Sequence, residues 1–593
     1  MFSCRCREGQ INAAANGLLW SSVLLTVFAL GCRPDRPSDQ LVAVVDASVR
    51  SLDPRLAVDN ASARLSRLIF EGLTEIDEAG LPRLVLAERI DPGPDKDAAG
   101  RPLSYRALIR KDATFHDGTP LTGADVAYTY QSVMDPAFGT VISGAFRRRF
   151  KAVVVDPADP YVVHFLLRRP LATFLTDVVL GIAPRRLKNA PKQRFEGLPV
   201  GSGPWRLVAP FRKDRVVIAR YEKHRRFQPL QPGQPRSLVF RAIADEGARA
   251  LSVLGGGGDV AMGGLSPAVL DSATTGGRAS IARANGIAWA YMGLNLRHDK
   301  LHDHRVRRAI AMALDRDHIV ATLFGGRARV AEGMMAPEHW AYEPLPTTVH
   351  DIAKANALLD DAGLKRGPDG VRLKLGLKVS TNRLRRAVGR AVARALGKVG
   401  IDVVVRSFEI GTFLADVRAG RFDLFLLLLP EPLEPDFLAW MFHSQNAAIK
   451  TADPNAASPY ARIERRALPP GIFRSAVATD PDCSTWSRDA SLAAMRAFAL
   501  APLGLAERHG SANRTSYHQP VVDCLLERGR SVLDRKERHR LYARAQHLIA
   551  ADVPVVPLWF EDQTALVRAG VTLPKMTMDG RYHVLGDARL PLP

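Results

Sequence analysis

The stretch from Trp289 to Gly326, WAYMGLNLRHDKLHDHRVRRAIAMALDRDHIVATLFGG, constrains the fold of this chain more than any other. Its first eight residues are apolar at nearly every position, and so short a run predicts a strand buried on both faces. A polar loop follows, with Asp303 where an N-cap belongs. Val306, Ala309, Ile310, Ala313 and Leu314 then recur at helical spacing, one apolar stripe with Arg305, Arg307 and Arg308 mostly off it. Asp315 is placed to cap a second short helix carrying Ile319, Val320, Leu323 and Phe324, which Gly325 and Gly326 would stop.

The rest of the chain repeats this alternation. LVAVVDA from Leu41 reads as a strand, and ARLSRLIFEGLTEI reads as a helix ending near Gly72. Asp117-Gly118 marks a turn, and Thr122 is an N-cap for the helix that carries Val126, Tyr130 and Val133. KAVVVDP and YVVHFLL are strands, and Gly201, Gly203 and Pro204 form a turn before another strand. Strands alternating with helices predict α/β architecture rather than a sandwich or a bundle. At 593 residues the chain exceeds what one hydrophobic core serves, so two or more lobes are expected.

The formal charge of +21 comes mainly from arginine spread along the chain, with the densest run only Arg147-Arg148-Arg149. No basic stripe interleaved with aromatics and no zinc-finger or RNA-binding signature accompanies it, which argues against nucleic acid as a partner. Attraction to an anionic membrane surface, or arginine-rich codon usage, accounts for the charge at least as well.

The N-terminus carries Arg5 and Arg7 ahead of LLWSSVLLTVFALG, an apolar run too short to span a membrane and right for an export signal. Gly31 then precedes Cys32. Of the five cysteines, Cys4 and Cys6 would leave with such a signal. With Cys32 set aside at the edge of the signal, Cys483 and Cys524 remain as residues that an oxidising compartment would allow to pair, although their spacing does not place them together.

Catalytic signatures are missing. The glycines from Gly255 to Gly258 are followed by no Lys-Ser/Thr and fit no GxGxxG spacing, so a surface turn is expected. His298, His302 and His304 lie in a charged stretch ahead of a helix that reads as solvated loop rather than a metal site. No HExxH, GxSxG or Walker sequence occurs. No metal, cofactor or catalytic group is assigned.

The order of motifs carries a resemblance. SLDP at Ser51 to Pro54 with FEGL at Phe70 to Leu73, FHDGTPLTGADVAYTY from Phe115, PVGSGPWRL from Pro199, the opening stretch itself, AKANALLDDAGL, and RLYARAQHLIAADVPVVPLWF all stand in family order. They resemble the extracellular solute-binding proteins of the oligopeptide, dipeptide and nickel family (family 5), which serve ABC importers. Ala29-Leu30-Gly31-Cys32 resembles a bacterial lipobox, with alanine where leucine is preferred.

The resemblance implies a two-lobed α/β, periplasmic-binding-protein-like (type II) fold. Lobe I would comprise 41–60, 193–285 and 550–593, an extra subdomain 61–192, and lobe II 286–549, with an inserted loop at 447–510. A signal peptide at 1–31 and a tether at 32–40, lipid-anchored through Cys32, would hold a monomeric receptor outside the cytoplasm. The expected ligand is a peptide or similar small molecule passed to an ABC permease. Nickel, haem, opine or oligosaccharide ligands are alternatives within transport, and a sensing or adhesive role without import is an alternative outside it.

Glu431 is the expected anchor. It follows the apolar run Leu424 to Leu429 and stands four residues before Pro435, where peptide-binding relatives place an aspartate that meets the ligand's α-ammonium. Glutamate reaches about 1.5 Å further. The tryptophan usual just before this site is replaced by Leu429 or Pro430. Val58, Asp59 and Asn60 would form a second wall, and Trp205 and Tyr291 are candidate aromatics lining the cleft, with core packing the alternative that their position in strands favours.

Overall fold

The computed structural model describes residues 37–187, 199–444, 480–484 and 513–592. Cys32, the expected signal peptide and nearly all of the expected insertion lie outside the described residues.

An eleven-stranded sheet runs through the molecule. Its order is Ile401–Phe408, Leu373–Ser380, Leu424–Leu429, Ala279–Leu294, Val555–Arg568, Val260–Met262, Gln40–Val45, Ser237–Ala242, Arg215–Arg220 and Trp205–Leu207, with Ala328–Val330 also paired to Val555–Arg568. WAYMGL is the last six residues of the sixteen-residue strand Ala279–Leu294. Its alternate side chains do enter cores on opposite faces: Ala290, Met292 and Leu294 on one, Ile287, Trp289 and Tyr291 on the other.

The helices that follow are as the sequence predicts. His304–Ala313 is capped by Asp303, whose carboxylate accepts from the Arg305 N–H, and Arg316–Phe324 is capped by Asp315 and ends on left-handed Gly325. One expectation is corrected. Arg307 is a buried residue, 6% exposed, because its guanidinium donates to the carbonyls of Asp552, Leu301 and His302.

Separate cores form along the sheet. One joins Leu41, Ala43 and Val45 to Leu238, Phe240, Ala565 and Tyr582. The other end of the sheet carries the cores around Met292 and Trp289. A four-stranded antiparallel sheet, Ala87–Pro92, Ser104–Ile109, Val162–Leu167 and Phe150–Val155, has its own core around Tyr130 and Phe165. The helix Asn60–Ile69 packs with Leu41 and not with this smaller sheet, because Ala61, Leu65, Leu68 and Ile69 face the first core. The expected helix also stops at Ile69, and Thr74–Ile76 is a strand.

The motif FEGL has a structural explanation. Glu71 is buried and accepts from Arg225 at 2.7 and 2.9 Å and from Arg226 at 2.7 Å, with His224 Nε2 at 3.2 Å. Burial alone would raise its pKa. The hydrogen bonds from His224 and Arg225 outweigh burial and hold it at about 2. Cys483 and Cys524 form a disulfide, Cα atoms 6.1 Å apart, that ties the described segment 480–484 to the helix Pro520–Ser531. Asp480 and Asp482 add ion pairs to Arg544, and Asp482 one to Arg540 at 2.6 Å.

Two strands, Ala279–Leu294 and Val555–Arg568, pass from the first core into the second. Their ladder breaks once between Ala284 and Ala288, where Asn285, Gly286 and Ile287 face the single residue Asp562, and it shifts again at Ala290/Tyr291. A Cβ at Gly286 would overlap the carbonyl oxygen of Glu561. Gly286→Ala should therefore destabilise the chain by about 1–3 kcal/mol in urea unfolding; an unchanged midpoint would show that the bulge yields instead. Glu71 makes a second prediction. Its depressed pKa contributes stability that is present above 4.5 and lost as pH falls towards about 2. Between about pH 6 and about pH 3, Glu71→Gln should lose less stability than the wild type, starting roughly 3 kcal/mol lower because it strands its cations.

Candidate functional site

Glu431 lies just beyond the strand Leu424–Leu429, on the side of the molecule built around Trp289 and Met292. Its partner comes from the other side. The guanidinium of Arg64, on the helix Asn60–Ile69, donates to Glu431 Oε1 from Nε at 3.3 Å and from Nη2 at 3.1 Å. Arg67 Nη1 stands 3.7 Å from Oε2. Arg64 and Arg67 are three apart and share a face of their helix, while Ala61, Leu65, Leu68 and Ile69 turn the adjoining face to the first core. The ion pair thus bridges two separately packed bodies.

The surroundings of Arg64 are polar and partly closed. Its side chain is 13% exposed and that of Glu431 17%, whereas Arg67 is 46% exposed. Arg64 Nη2 also donates to the Asp579 carbonyl at 2.6 Å, and its guanidinium lies 5.8 Å from the centre of the Tyr582 ring. Burial pushes the Tyr582 phenol up to about 12, against the opposing charge of Arg64. One carboxylate therefore faces two guanidiniums. Such a group can exchange one partner for a ligand ammonium, which frees a guanidinium for a ligand anion.

A second polar feature lies on the Glu431 side. Trp289 and Tyr291 stack with ring centres 4.6 Å apart, and Arg514 Nη1 donates to the Tyr291 hydroxyl at 3.3 Å. The Arg514 guanidinium stands 5.6 Å from the Trp440 ring, which is 44% exposed, and its Nε has no hydrogen-bond partner among the described residues. Burial raises the Tyr291 pKa, with Arg514 opposing.

The structure brings some of the expected site residues together and separates others. Val58 is exposed, Asp59 is the N-cap whose carboxylate accepts from the Ser62 N–H at 2.9 Å, and Asn60 begins the helix that carries Arg64. Leu429 pairs in the ladder with Trp289 and is half-buried. Tyr291 is 2% exposed, a core residue reached only at its hydroxyl. Trp205 is 4% exposed, packed against Gly586 with the Arg220 guanidinium 5.0 Å above its ring, so it belongs to the first core and not to the junction. A pocket of about 200 Å³ lined by Pro204, Arg220, Tyr221, His224 and Asp587 shares no residue with this junction.

Sequence reasoning missed Arg64, Arg67 and Arg514. The signal for the first two was the polar i, i+3 pair in ARLSRLI; nothing local pointed to Arg514. The loop histidines serve local turns, since His298 Nδ1 accepts from the Lys300 N–H at 3.2 Å and His302 Nδ1 lies 3.4 Å from the Leu296 carbonyl.

The ion pair can be measured directly. A double-mutant cycle on Arg64→Gln and Glu431→Gln, read by urea unfolding of the ligand-free chain, should give a coupling of about 1–2 kcal/mol, above that of an exposed pair. Zero coupling would mean that the two groups do not meet in solution.

Comparison with known proteins identifies the family. The sequence profile of the bacterial extracellular solute-binding proteins, family 5 Middle, matches residues 95–449, more than half of the chain. The probable di/tripeptide-binding protein 5 of Pseudomonas aeruginosa (strain UCBPP-PA14) is 28% identical over 402 residues, which is 63% of this chain and 72% of that protein. The glutathione-binding protein GsiB of Escherichia coli (strain K12) is 25% identical over 390 residues, 64% and 71% of the two chains. Among solved structures, the oligopeptide-binding protein AppA from Bacillus subtilis in complex with a nonapeptide superposes with a TM-score of 0.68 at 20% identity, covering 93% of this chain and 98% of that one. NikZ from Campylobacter jejuni in complex with Ni(L-His) gives 0.70 at 21% identity, covering 93% and 100%.

Proposed function

This chain belongs to the bacterial extracellular solute-binding proteins of family 5, and we propose that it captures a peptide or a similar small zwitterion between its two bodies for delivery to an ABC import permease. It is a binding receptor rather than an enzyme, and it acts outside the cytoplasm. The names of its relatives support peptides as the ligand class, since a di/tripeptide-binding protein and a glutathione-binding protein are both among them.

The observation that carries the reading is the Glu431 carboxylate held across the junction by Arg64 and Arg67. A ligand ammonium would take the place of Arg64 on Glu431, and Arg64 or Arg67 would take the ligand's carboxylate. Both exchanges strengthen only when the two bodies close on the ligand, as a hinge receptor requires. In this reading Val58, Asp59 and Asn60 offer backbone to the ligand, while Trp205 stays in the core. Lipid attachment at Cys32 would keep a monomeric receptor at the membrane beside its permease.

The test is isothermal titration of di- and tripeptides identified by mass spectrometry of the co-purifying ligand. Glu431→Gln should weaken binding roughly 10- to 100-fold, the loss of one charge-assisted hydrogen bond, and N-acetylation of the peptide should cost the wild type a similar factor. Wild-type affinity in the Glu431→Gln variant would overturn the anchor assignment, and a co-purifying metal complex or sugar would overturn the ligand class.

A further inference from the structure

The helix Arg383–Lys398, RLRRAVGRAVARALGK, contains six cations and no acid. Val388, Gly389, Val392 and Leu396 are buried against the sheet. On its outer side Arg383, Arg386, Arg390, Arg394 and Lys398 are all exposed, spaced by three or four residues and so aligned along one face. The remaining cation, Arg385, is turned inward to Glu561 at 2.5 Å. None of the five outer side chains has an ion-pair partner among the described residues. Gly397 is the one other exposed residue of the helix, so the face presents cations and no large apolar group.

Around the helix the balance is also basic. Arg308 and Lys354, on the helices His304–Ala313 and Ile352–Asp361 of the same layer, are exposed, as are Lys365 and Arg366 beyond it. The exposed acids nearby are Asp317, Asp360, Asp361, Asp369 and Asp402, of which Asp360 is paired to Arg372.

We propose that this helix face is an electrostatic docking surface for an anionic phospholipid bilayer. Four turns of helix lay the cations along roughly 22 Å, the rise expected for fifteen residue steps. Planar guanidiniums bind phosphate oxygens in pairs and hold their charge at every physiological pH. A protein partner would be expected to meet aromatic or branched anchors at the centre of the contact; this face has none. An inserting amphipathic helix would need exposed leucine, phenylalanine or tryptophan, and its apolar side is instead committed to the sheet. What is left is a flat row of unpaired cations, suited to a headgroup layer. The whole chain, at +21, is drawn the same way.

The experiment is co-sedimentation of the mature chain, residues 33–593, so that neither the apolar signal nor an acyl chain contributes. Vesicles of phosphatidylcholine alone are compared with vesicles containing phosphatidylglycerol. The parent should bind the anionic vesicles in preference and be released by about 0.5 M salt, which shortens the screening length to a few ångströms. Arg386→Gln/Arg390→Gln/Arg394→Gln should bind on the order of 100-fold more weakly, about fivefold per cation. A control of equal charge change, Arg206→Gln/Lys213→Gln/Arg278→Gln, removes exposed cations from the other body and should stay within about twofold. Matching circular dichroism and urea midpoints establish that both variants are folded. The proposal is overturned by equal binding to both vesicle types, by unchanged binding of the helix variant, or by an equal loss in the control, which would make net charge the cause.

Discussion

Everything in this molecule hangs on the backbone ladder between Ala279–Leu294 and Val555–Arg568. One end of the ladder feeds Ala565 and Val567 to the first core and Leu566 to the layer behind it. The other end feeds Met292 and Leu558 to one face and Trp289 and Phe560 to the other. Because successive side chains alternate, a slip of one residue would exchange every one of these between cores. Register is therefore fixed from several sides at once, and the Asn285–Ile287 bulge is confined to the place where the strands leave one core for the next. That is also where bending breaks the fewest bonds.

Arginine accounts for much of the chemistry that the composition left unexplained. Arg249 donates to the carbonyls of Ile243, Ala244, Gly263 and Gly264, and Arg316 to those of Ala331, Pro557 and Thr348. With Arg307 they form a set of buried cations whose guanidiniums donate to backbone carbonyls. Another group, Arg225, Arg528, Arg540 and Arg544, neutralises buried or half-buried acids. The five outer cations of the helix Arg383–Lys398 belong to neither group, and for that reason they stand out as a surface.

Most of the scaffold was legible in the sequence because it is set by local pattern. Caps at Thr122, Asp303 and Asp315, the left-handed stop at Gly325 and the apolar runs all follow from spacing that a few neighbouring residues decide. The candidate site was legible only in half. Glu431 stood out because it follows a buried run and stands where the family resemblance puts an acidic anchor, whereas Arg64 looked like an ordinary outer residue of an amphipathic helix. The basic face was hidden for a related reason: its cations are spaced by three and four, so they form no run in the sequence.

The sequence by itself determined the α/β alternation, the elements and most of their ends, and the resemblance to a receptor class, because these depend on hydrophobic period and capping over short distances. Tertiary structure alone decided that Arg307 is buried, that Cys483 meets Cys524, and that Glu431 faces Arg64 across a separation of 367 positions in the chain. Each of these depends on which surfaces the long ladder brings together. Ion pairs and burial act through space over a few ångströms, and nothing in the local pattern records which distant residue will arrive there.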